Sequence, residues 1–406
     1  MAGPLSHIKV LDLSRILAGP WSGQVLADLG ADVIKVERPK VGDDTRSWGP
    51  PFLKDAAGAE TRESGYYMSA NRGKRSVTVD LNTPEGQEIV RALAKQSDIL
   101  LENYKVGTLA KFGLDYASLK EINPGLIYCS VTGFGQDGPK AENAAYDFMI
   151  QAMGGLMSVT GERDDLPGGG PQKVGVPIVD LMTGMYTSVA VLAALARRAE
   201  TGLGDYIDIG MLDVMVGTVA NQGMNYLVSG NTPKRAGNKH PNIQPQDVFA
   251  CADGFIVLVV GNDAQFAKFC EVAGQPDWPR DTRFASNGAR VRNQTTLLPM
   301  VAELFLQKPM AEWARLLDDA GVPCSPINTI PQVFEDEQVK HREMLMQLPH
   351  PTAGSVPSIR SPMRFTQAPL AFDRAPPLLG QHTQEVLAGL GFDAEQIAGW
   401  TSAGVI

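Results

Sequence analysis

The stretch Ile8-Lys-Val-Leu-Asp-Leu13 decides the fold class, because it is a short apolar run followed by a helical pattern at 20–29 and a second apolar run at 33–37. Similar segments continue along the chain, with strands predicted at 76–81, 99–101 and 126–131, and helices at 87–95, 147–157 and 181–198. This alternation of strand and helix predicts an α/β fold with a parallel, doubly wound, Rossmann-like sheet.

The domain organisation is predicted from length and from changes in composition. A chain of 406 residues is too long for one ordinary core. A polar stretch rich in Gly, Pro and Asn interrupts it after 207–225, a segment predicted to be helical or mixed. The predicted parts are the N-terminal part of a large domain (1–225), a linker (226–247), a smaller α+β domain (248–320), a second linker (321–332) and a C-terminal part (333–406).

Composition and charge exclude several classes of protein. Apolar residues make up 44% of the chain and charged residues 20%, which is typical of a soluble enzyme. The net charge of −9 disfavours nucleic-acid binding, and any anionic ligand must be held by local cations. The N-terminus lacks an export signal and no run of 18 apolar residues occurs, so we expect no membrane partner.

The four cysteines form neither a CxxC motif nor a cluster with histidine. This pattern disfavours a zinc site and a disulfide framework, and it favours buried free thiols in a reducing cytoplasm. We therefore expect a cytoplasmic protein with no metal and no tightly bound cofactor.

One carboxylate, Asp180, stands out in Gly175-Val-Pro-Ile-Val-Asp180-Leu-Met-Thr-Gly184. It follows an apolar run and precedes a helical pattern. Taken alone, the pattern has two interpretations: a helix N-cap that accepts backbone N–H groups, or a nucleophile at a helix terminus.

Several common nucleotide-binding and catalytic motifs are absent from the sequence. The segment Ala18-Gly19-Pro20-Trp21-Ser22-Gly23 has two glycines at the wrong spacing for G-x-G-x-x-G. A dinucleotide site is therefore disfavoured despite the predicted fold, and no P-loop, HExxH or GxSxG motif occurs.

Seven motifs in a fixed order resemble the family III CoA-transferases (CaiB/BaiF type), from about residue 5 to the C-terminus. They are Leu11–Pro20, Leu29–Pro39, Gly42–Pro51, Asn71–Leu81, Glu102–Gly107, Tyr128–Pro139 and Pro377–Thr383. Three segments, Gly42–Phe52, Gly133–Pro139 and Pro376–His382, look closest to the succinate–hydroxymethylglutarate (dicarboxylate) branch.

The resemblance implies an activity and an assembly. In the family the aspartate that matches Asp180 is the catalytic nucleophile, and acyl-CoA and small carboxylic acids are the substrates. The N- and C-terminal parts together form the large domain, and two chains form an interlocked homodimer.

CoA carries a 3′-phosphate and a diphosphate, so an acidic protein needs Lys and Arg side chains to bind it. The candidate cations are Arg38, Arg72, Lys74, Arg75, Lys105 and Lys111. Arg38, Lys74 and Lys105 are favoured because each borders a predicted strand end, and ligands of open α/β sheets bind outside the carboxyl ends of strands. By the resemblance, further CoA contacts are Leu17, Ala18, Val79, Asn103, Tyr104 and Tyr146.

The predicted chemistry starts from an ionised Asp180, because an unperturbed aspartate has a pKa of about 3.9. It attacks the donor thioester, and anhydride and aspartyl-CoA thioester intermediates follow. Backbone amides near Leu17 and Ala18, or in 261–263, are candidate oxyanion donors by the resemblance. Leu17 stands where the formyl-CoA branch has glutamine, which argues against formyl or oxalate as substrate.

Two alternatives to transfer stay open. The family also contains 2-methylacyl-CoA racemases, which pair the aspartate with a histidine, but Tyr146 stands at that position and is a poor base for an α-proton. A non-catalytic CoA-binding protein on the same fold is the other alternative.

A dicarboxylate substrate needs a cation for its second carboxylate. Arg46 is the predicted clamp, with Arg235, Lys239 and His240 as alternatives.

Overall fold

The computed structural model describes residues 3–406. Its strands are β1 (Lys9–Asp12), β2 (Asp32–Glu37), β3 (Phe52–Lys54), β4 (Glu60–Ser64), β5 (Arg75–Thr78), β6 (Ile99–Glu102), β7 (Ile127–Thr132), β8 (Asp205–Gly210), β9 (Gln246–Ala250), β10 (Phe255–Val259), β11 (Cys324–Pro326), β12 (Leu345–His350) and β13 (Gly354–Ile359).

The α-helices are α1 (Ala18–Asp28), α2 (Gly65–Met68), α3 (Pro84–Lys95), α4 (Tyr116–Ile122), α5 (Asp147–Met153), α6 (Leu156–Val159), α7 (Ile178–Thr201), α8 (Met211–Thr218), α9 (Ala220–Ser229), α10 (Asp263–Val272), α11 (Asn287–Arg292), α12 (Gln294–Phe305), α13 (Met310–Asp319), α14 (Ile330–Glu335), α15 (Glu337–His341), α16 (Thr383–Gly389) and α17 (Ala394–Ala403). Short 3₁₀ turns lie at Asp44–Ser47, Leu109–Phe112 and Trp278–Arg280.

The main sheet has six parallel strands in the order β5-β2-β1-β6-β7-β8. Counted within the sheet, this order is 3-2-1-4-5-6, which is that of a doubly wound α/β fold. The predicted parallel sheet is therefore confirmed. The carboxyl ends of all six strands meet at one edge, where such folds bind ligands.

Two apolar layers cover the sheet because successive side chains of a strand point to opposite faces. From β1, Val10 belongs to a core cluster shared with α1 and α7, whereas Leu11 belongs to a second cluster shared with α3, α4, α16 and α17. The second layer includes Val386 and Ile397 from the C-terminal helices. Helices from both ends of the chain therefore cover the sheet.

The chain forms two compact units. One comprises 1–156, 174–224 and 337–406, with its first two residues outside the described part, and the other comprises 157–173 and 225–336. The second unit contains the antiparallel sheet β9-β10-β11 and its own apolar core. The segment 157–173, which lies within the range predicted for the large domain, groups with the second unit.

Several elements differ from the sequence prediction, among them β8 and parts of the C-terminal region. The segment 207–225 was predicted helical or mixed, but it begins within β8, the edge strand of the sheet, and continues into α8 and α9. The C-terminal part contains the hairpin β12–β13 and a second terminal helix, α17, which the pattern did not predict.

The longest helix, α7, runs for 24 residues and ends at Gly202, whose φ of 72° and N–H bond to the Arg198 carbonyl match the predicted stop signal. Among the described helices, α7 alone is long and apolar enough to cross a membrane by length and composition. It packs on α1 and on strands β7 and β8 of the sheet. The core helix of a soluble protein meets the same length and composition criterion.

Candidate active site

Two neighbouring cavities of about 190 Å³ each lie at the carboxyl edge of the sheet. The first, called the Asp180 cavity, is lined among others by Leu17, Ala18, Asn103, Lys105, Tyr146, Asp147 and Asp180. The second, called the Arg38 cavity, is lined among others by Arg38, Asp43, Val79, Asp80, Leu81, Asn82 and Phe112. Arg15 and Tyr104 line both cavities, so the two are adjacent.

Asp180 lies in the first turn of α7, which begins at Ile178 and therefore earlier than the predicted start at 181. The helix has Pro177 at its N-cap, which offers no side-chain cap. One carboxylate oxygen of Asp147 takes over this function by accepting from the backbone N–H of Val179 at 2.7 Å and of Asp180 at 3.2 Å. A carboxylate from α5 therefore holds the turn that carries Asp180.

Asp147 was not among the residues predicted for the site. Its other carboxylate oxygen accepts from the side-chain amide of Gln151 at 2.6 Å, and Gln151 in turn accepts from the N–H of Val174. The only signal in the sequence was an acidic residue at the start of a predicted helix, which normally indicates a cap for that same helix. Here the carboxylate caps a different helix.

The electrostatic environment of Asp180 differs from the predicted one. Only 9% of the residue is exposed. Burial, followed by repulsion from the carboxylate of Asp147, raises the pKa of Asp180 to about 7. The expectation of an ordinary aspartate pKa is therefore wrong, because the first turn of α7 is desolvated and a second carboxylate lies beside it. Perturbed carboxylates in clefts are typical of functional sites.

The structure brings most of the predicted CoA contacts to the two cavities. Leu17, Ala18, Asn103, Lys105 and Tyr146 line the Asp180 cavity, with Tyr104 at the junction. Arg38 and Val79 line the Arg38 cavity. Tyr146 is 61% exposed and precedes α5.

Lys111 and His240 are placed differently. Lys111 is exposed on the 3₁₀ turn Leu109–Phe112, beside Phe112, and does not itself line the Arg38 cavity. His240 belongs to the second compact unit, where its Nδ1 accepts from the N–H of Asn242. Arg235 and Lys239 belong to the same unit, and Arg235 pairs with Asp164. The substrate roles of these three residues stay predictions.

Three of the predicted CoA-binding cations, Arg72, Lys74 and Arg75, lie just before β5 or at its first residue and are engaged in internal ion pairs, so their role toward CoA stays a prediction. Lys74 is fully buried and its ammonium group donates to Asp12, Asn71 and the Pro20 carbonyl. Arg72 is bound by Asp28 through two hydrogen bonds and also donates to Ser358 and the Ile359 carbonyl. Arg75 pairs with Asp32 and Glu385. These side chains serve internal ion pairs at the opposite end of strand β5 from the ligand edge.

Arg46, the predicted carboxylate clamp, is also engaged internally, and its role toward substrate stays a prediction. Its guanidinium group is 6% exposed and donates to both oxygens of Glu37, to Glu63, to the Tyr67 hydroxyl and to the Pro377 carbonyl. The ring of Tyr67 lies 3.7 Å from the guanidinium carbon. Arg46 is therefore neutralised by two internal carboxylates and fixes the loop after β2.

The described residues include free thiols but no cluster of metal ligands. The four cysteines are free, and Cys129, Cys251 and Cys270 are buried. Residues 3–406 contain no group of three or more His, Cys, Asp or Glu side chains arranged to hold a metal ion. Asp147 and Asp180 are the carboxylates that line the Asp180 cavity.

Known proteins that resemble this chain are CoA-transferases. A model of CoA-transferase family III matches residues 5–383. The chain is 47% identical over 387 residues to a succinate–glutarate CoA-transferase of Agrobacterium fabrum, covering 95% of this chain and 96% of the relative. It is 40% identical over 404 residues to a succinyl-CoA:glutarate CoA-transferase of Homo sapiens, covering 99% and 90% respectively.

A solved structure matches over the whole fold. The crystal structure of a CaiB/BaiF family protein from Brucella suis superposes with a TM-score of 0.84 at 49% identity, covering 96% of this chain and 100% of that one. The resemblance that the ordered motifs indicated is thereby confirmed.

Proposed function

Because this chain belongs to CoA-transferase family III, we propose that it moves CoA between succinyl-CoA and a dicarboxylic acid. The names of the relatives from Agrobacterium fabrum and Homo sapiens support this choice of substrates. The observation that carries the proposal is Asp180, a buried carboxylate that faces a cavity at the ligand edge of the sheet.

The proposed reaction has four steps. The Asp180 carboxylate attacks the acyl carbon of the donor thioester, which forms a mixed anhydride and releases the CoA thiolate. The thiolate attacks the aspartyl carbon, which gives an aspartyl-CoA thioester and the free donor acid. The acceptor carboxylate then displaces the thiolate to form a second anhydride. Finally the thiolate attacks the new acyl carbon, so that acyl-CoA leaves and Asp180 is regenerated.

The environment of Asp180 suits this sequence. Its raised pKa, about 7, makes the ionised carboxylate more basic than an ordinary aspartate and therefore a better nucleophile. Leu17 is the N-cap of α1, whose first backbone N–H groups have no acceptor within the helix. Because Leu17 and Ala18 line the Asp180 cavity, we assign these N–H groups to the oxyanions of the tetrahedral intermediates.

Binding of the CoA is assigned to the Arg38 cavity. Its apolar walls, Val79, Leu81 and Phe112, suit the adenosine, and Arg38 has 49% of its side chain exposed. Tyr104 at the junction and the exposed Lys105 lie on the path from there to Asp180.

The racemase alternative is not favoured. The relatives are named CoA-transferases, and the position that carries a basic histidine in racemases is Tyr146 here. A phenol group is a weaker base towards an α-proton than an imidazole.

We also propose an oligomeric state and a cellular location for the protein. We infer a homodimer, since apolar side chains on α7 are left exposed in the single chain, with Met185, Tyr186 and Val189 each at least 40% exposed. Light scattering in solution tests it, and a monomeric mass would contradict it. A cytoplasmic location is proposed from the free thiols.

The test of the function uses isotope-labelled acceptor acid. The protein is incubated with succinyl-CoA and a dicarboxylic acid whose carboxylate oxygens are heavy, and CoA esters are separated by chromatography. New acyl-CoA should form, and the peptide containing Asp180 should gain one heavy oxygen, because the last step leaves the acceptor's bridging oxygen on the aspartate. The variant Asp180→Ala should form no acyl-CoA. Product without label in Asp180 would refute the anhydride route.

A further inference from the structure

Arg15 is a cation that the two cavities share, and it was not among the predicted site residues. Its side chain is 34% exposed, and its Nη1 donates to Asp44 at 3.0 Å. The guanidinium carbon lies 5.5 Å from the ring centre of Tyr104. The Nε atom is buried and has no hydrogen-bond partner. A buried donor without an acceptor is costly, so this side chain has binding capacity left over.

The main chain around Arg15 is fixed on both sides. The side-chain amide of Asn103 accepts from the Arg15 N–H at 2.8 Å and donates to the Arg15 carbonyl at 2.7 Å. The next residue, Ile16, has a φ of 72°, and its N–H donates to Asp43. A β-branched residue in this left-handed region is strained and persists only where the surroundings hold it. Such strain is typical of segments that present a side chain for binding.

Arg15 is paired with a second arginine through one carboxylate. Asp44 accepts from Arg15 through Oδ2 and from Arg38 through Oδ1, at 3.0 and 2.6 Å. The two guanidinium groups and the carboxylate carry a net charge of +1. This arrangement leaves positive charge between the two cavities, where it can be matched by a bound anion.

Given the proposed function, the shape of CoA determines which of its phosphate groups lies at the junction of the two cavities. Its thioester must approach Asp180 in one cavity, while its adenosine fits the apolar walls of the other. The diphosphate joins the adenosine to the pantetheine arm and so passes the junction. We propose that Arg15 binds the diphosphate of CoA, together with Arg38 across the shared carboxylate of Asp44. Asn103 then acts as a positioning residue for Arg15.

The test compares shortened forms of CoA. Dissociation constants are measured for CoA, for dephospho-CoA, which keeps the diphosphate but lacks the 3′-phosphate, and for pantetheine, which lacks both. Calorimetry serves the first two ligands and ligand-observed NMR serves the weaker third. Arg15→Ala should weaken binding of CoA and dephospho-CoA by about 10- to 100-fold, the effect of a lost hydrogen bond to a charged group, and leave pantetheine unchanged.

Two further variants control the result. Arg15→Lys keeps the charge but loses the planar fork, so it should recover part of the affinity. Arg62→Ala removes an exposed arginine of β4 that lines neither cavity, and it should bind all three ligands like the unmodified protein.

Several outcomes would overturn the proposal. Equal weakening for pantetheine would mean that Arg15→Ala disturbs the cavity in general. A loss confined to CoA would assign Arg15 to the 3′-phosphate. A higher KM for the dicarboxylic acid with unchanged CoA binding would make Arg15 the clamp of the distal carboxylate. Since binding needs no turnover, the measurement remains decisive even if no acid is found to accept CoA.

Discussion

Two regions of the first compact unit contain buried charges. In one region each charge is paired with an opposite charge, and in the other it is not. At β1 and β2, the carboxylates of Asp12 and Asp43 are paired with the ammonium groups of Lys74 and Lys35, and all four side chains have no exposed surface. At the first turn of α7, Asp180 is also buried, but the charged group that acts on it is the carboxylate of Asp147, which repels it.

The pKa values of the two regions follow from this difference. Burial alone would raise the pKa of Asp43, but the Lys35 ammonium and the hydrogen bonds from Thr45 lower it to about 2. For Asp12, too, burial is outweighed by Lys74 and Lys35, and its pKa is lowered. For Asp180 nothing offsets burial, and its pKa rises to about 7. In these two regions, the compensated charges belong to the scaffold, whereas the uncompensated charge lines a cavity.

The sharpest test of the comparison is removal of one compensated charge. Lys74→Met should leave Asp12 buried without its partner and lower the free energy of unfolding by about 3–5 kcal/mol, measured by urea denaturation. Lys111→Met, at an exposed position, should change it by less than about 0.5 kcal/mol. If Lys74→Met kept full stability but lost affinity for CoA, Lys74 would be a ligand residue after all.

Removal of the uncompensated charge of Asp180 should have the opposite effect on the free energy of unfolding. The pKa of Asp180 is raised to about 7 in the folded state, above its value in the unfolded state. The protonated carboxyl group therefore contributes its full stabilisation below the unfolded pKa, and this contribution is lost as pH rises to about 7. Asp180→Asn should therefore be more stable than the unmodified protein at pH 8, by at most about 4 kcal/mol for a shift of about three pKa units. Near pH 4 the two should unfold alike. Thermal unfolding at both pH values measures this, and a variant that is less stable at pH 8 would contradict it.

The smallest expected effect concerns the neighbouring carboxylate. Asp147→Asn removes the like charge but keeps an oxygen that can accept from Val179 and Asp180. Because burial is the larger cause of the raised pKa, we expect the acid limb of kcat/KM to move to lower pH by less than about one unit. An unchanged pH profile would show that Asp147 acts on the helix turn alone.

Most of the sheet could be predicted from the sequence because its central strands are continuous apolar runs that are buried on both faces. The edge strand β8, Asp205-Tyr-Ile-Asp-Ile-Gly210, alternates polar and apolar residues and leads directly into α8. Residues 207–210 of this strand therefore fall within the segment 207–225 that is predicted to be helical or mixed. The hairpin β12–β13 contains prolines and few apolar pairs, which gave no strand signal.

The site was predictable where a motif fixes a position in the fold, and not where partners are distant in sequence. Asp180 was identified by the order of the motifs around it. Lys74 looked like a free cation because the carboxylate that neutralises it, Asp12, lies 62 positions earlier. Arg15 gives no signal in the sequence for the complementary reason, since its unpaired Nε and its position between two cavities exist only in the folded chain.

The return of the chain to its first strands also constrains how the protein is made. The N–H of Asp80, beside the Arg38 cavity, donates to the carbonyl of Val405, and the N–H of His382 donates to the carbonyl of Ser76. During translation at 5–20 residues per second, β5 therefore emerges on the order of 15–60 s before the segment that covers it. For that interval α3 and α4 can cover their part of this apolar layer, but the part that α16 and α17 cover stays exposed on the ribosome, and such exposed apolar surface favours aggregation.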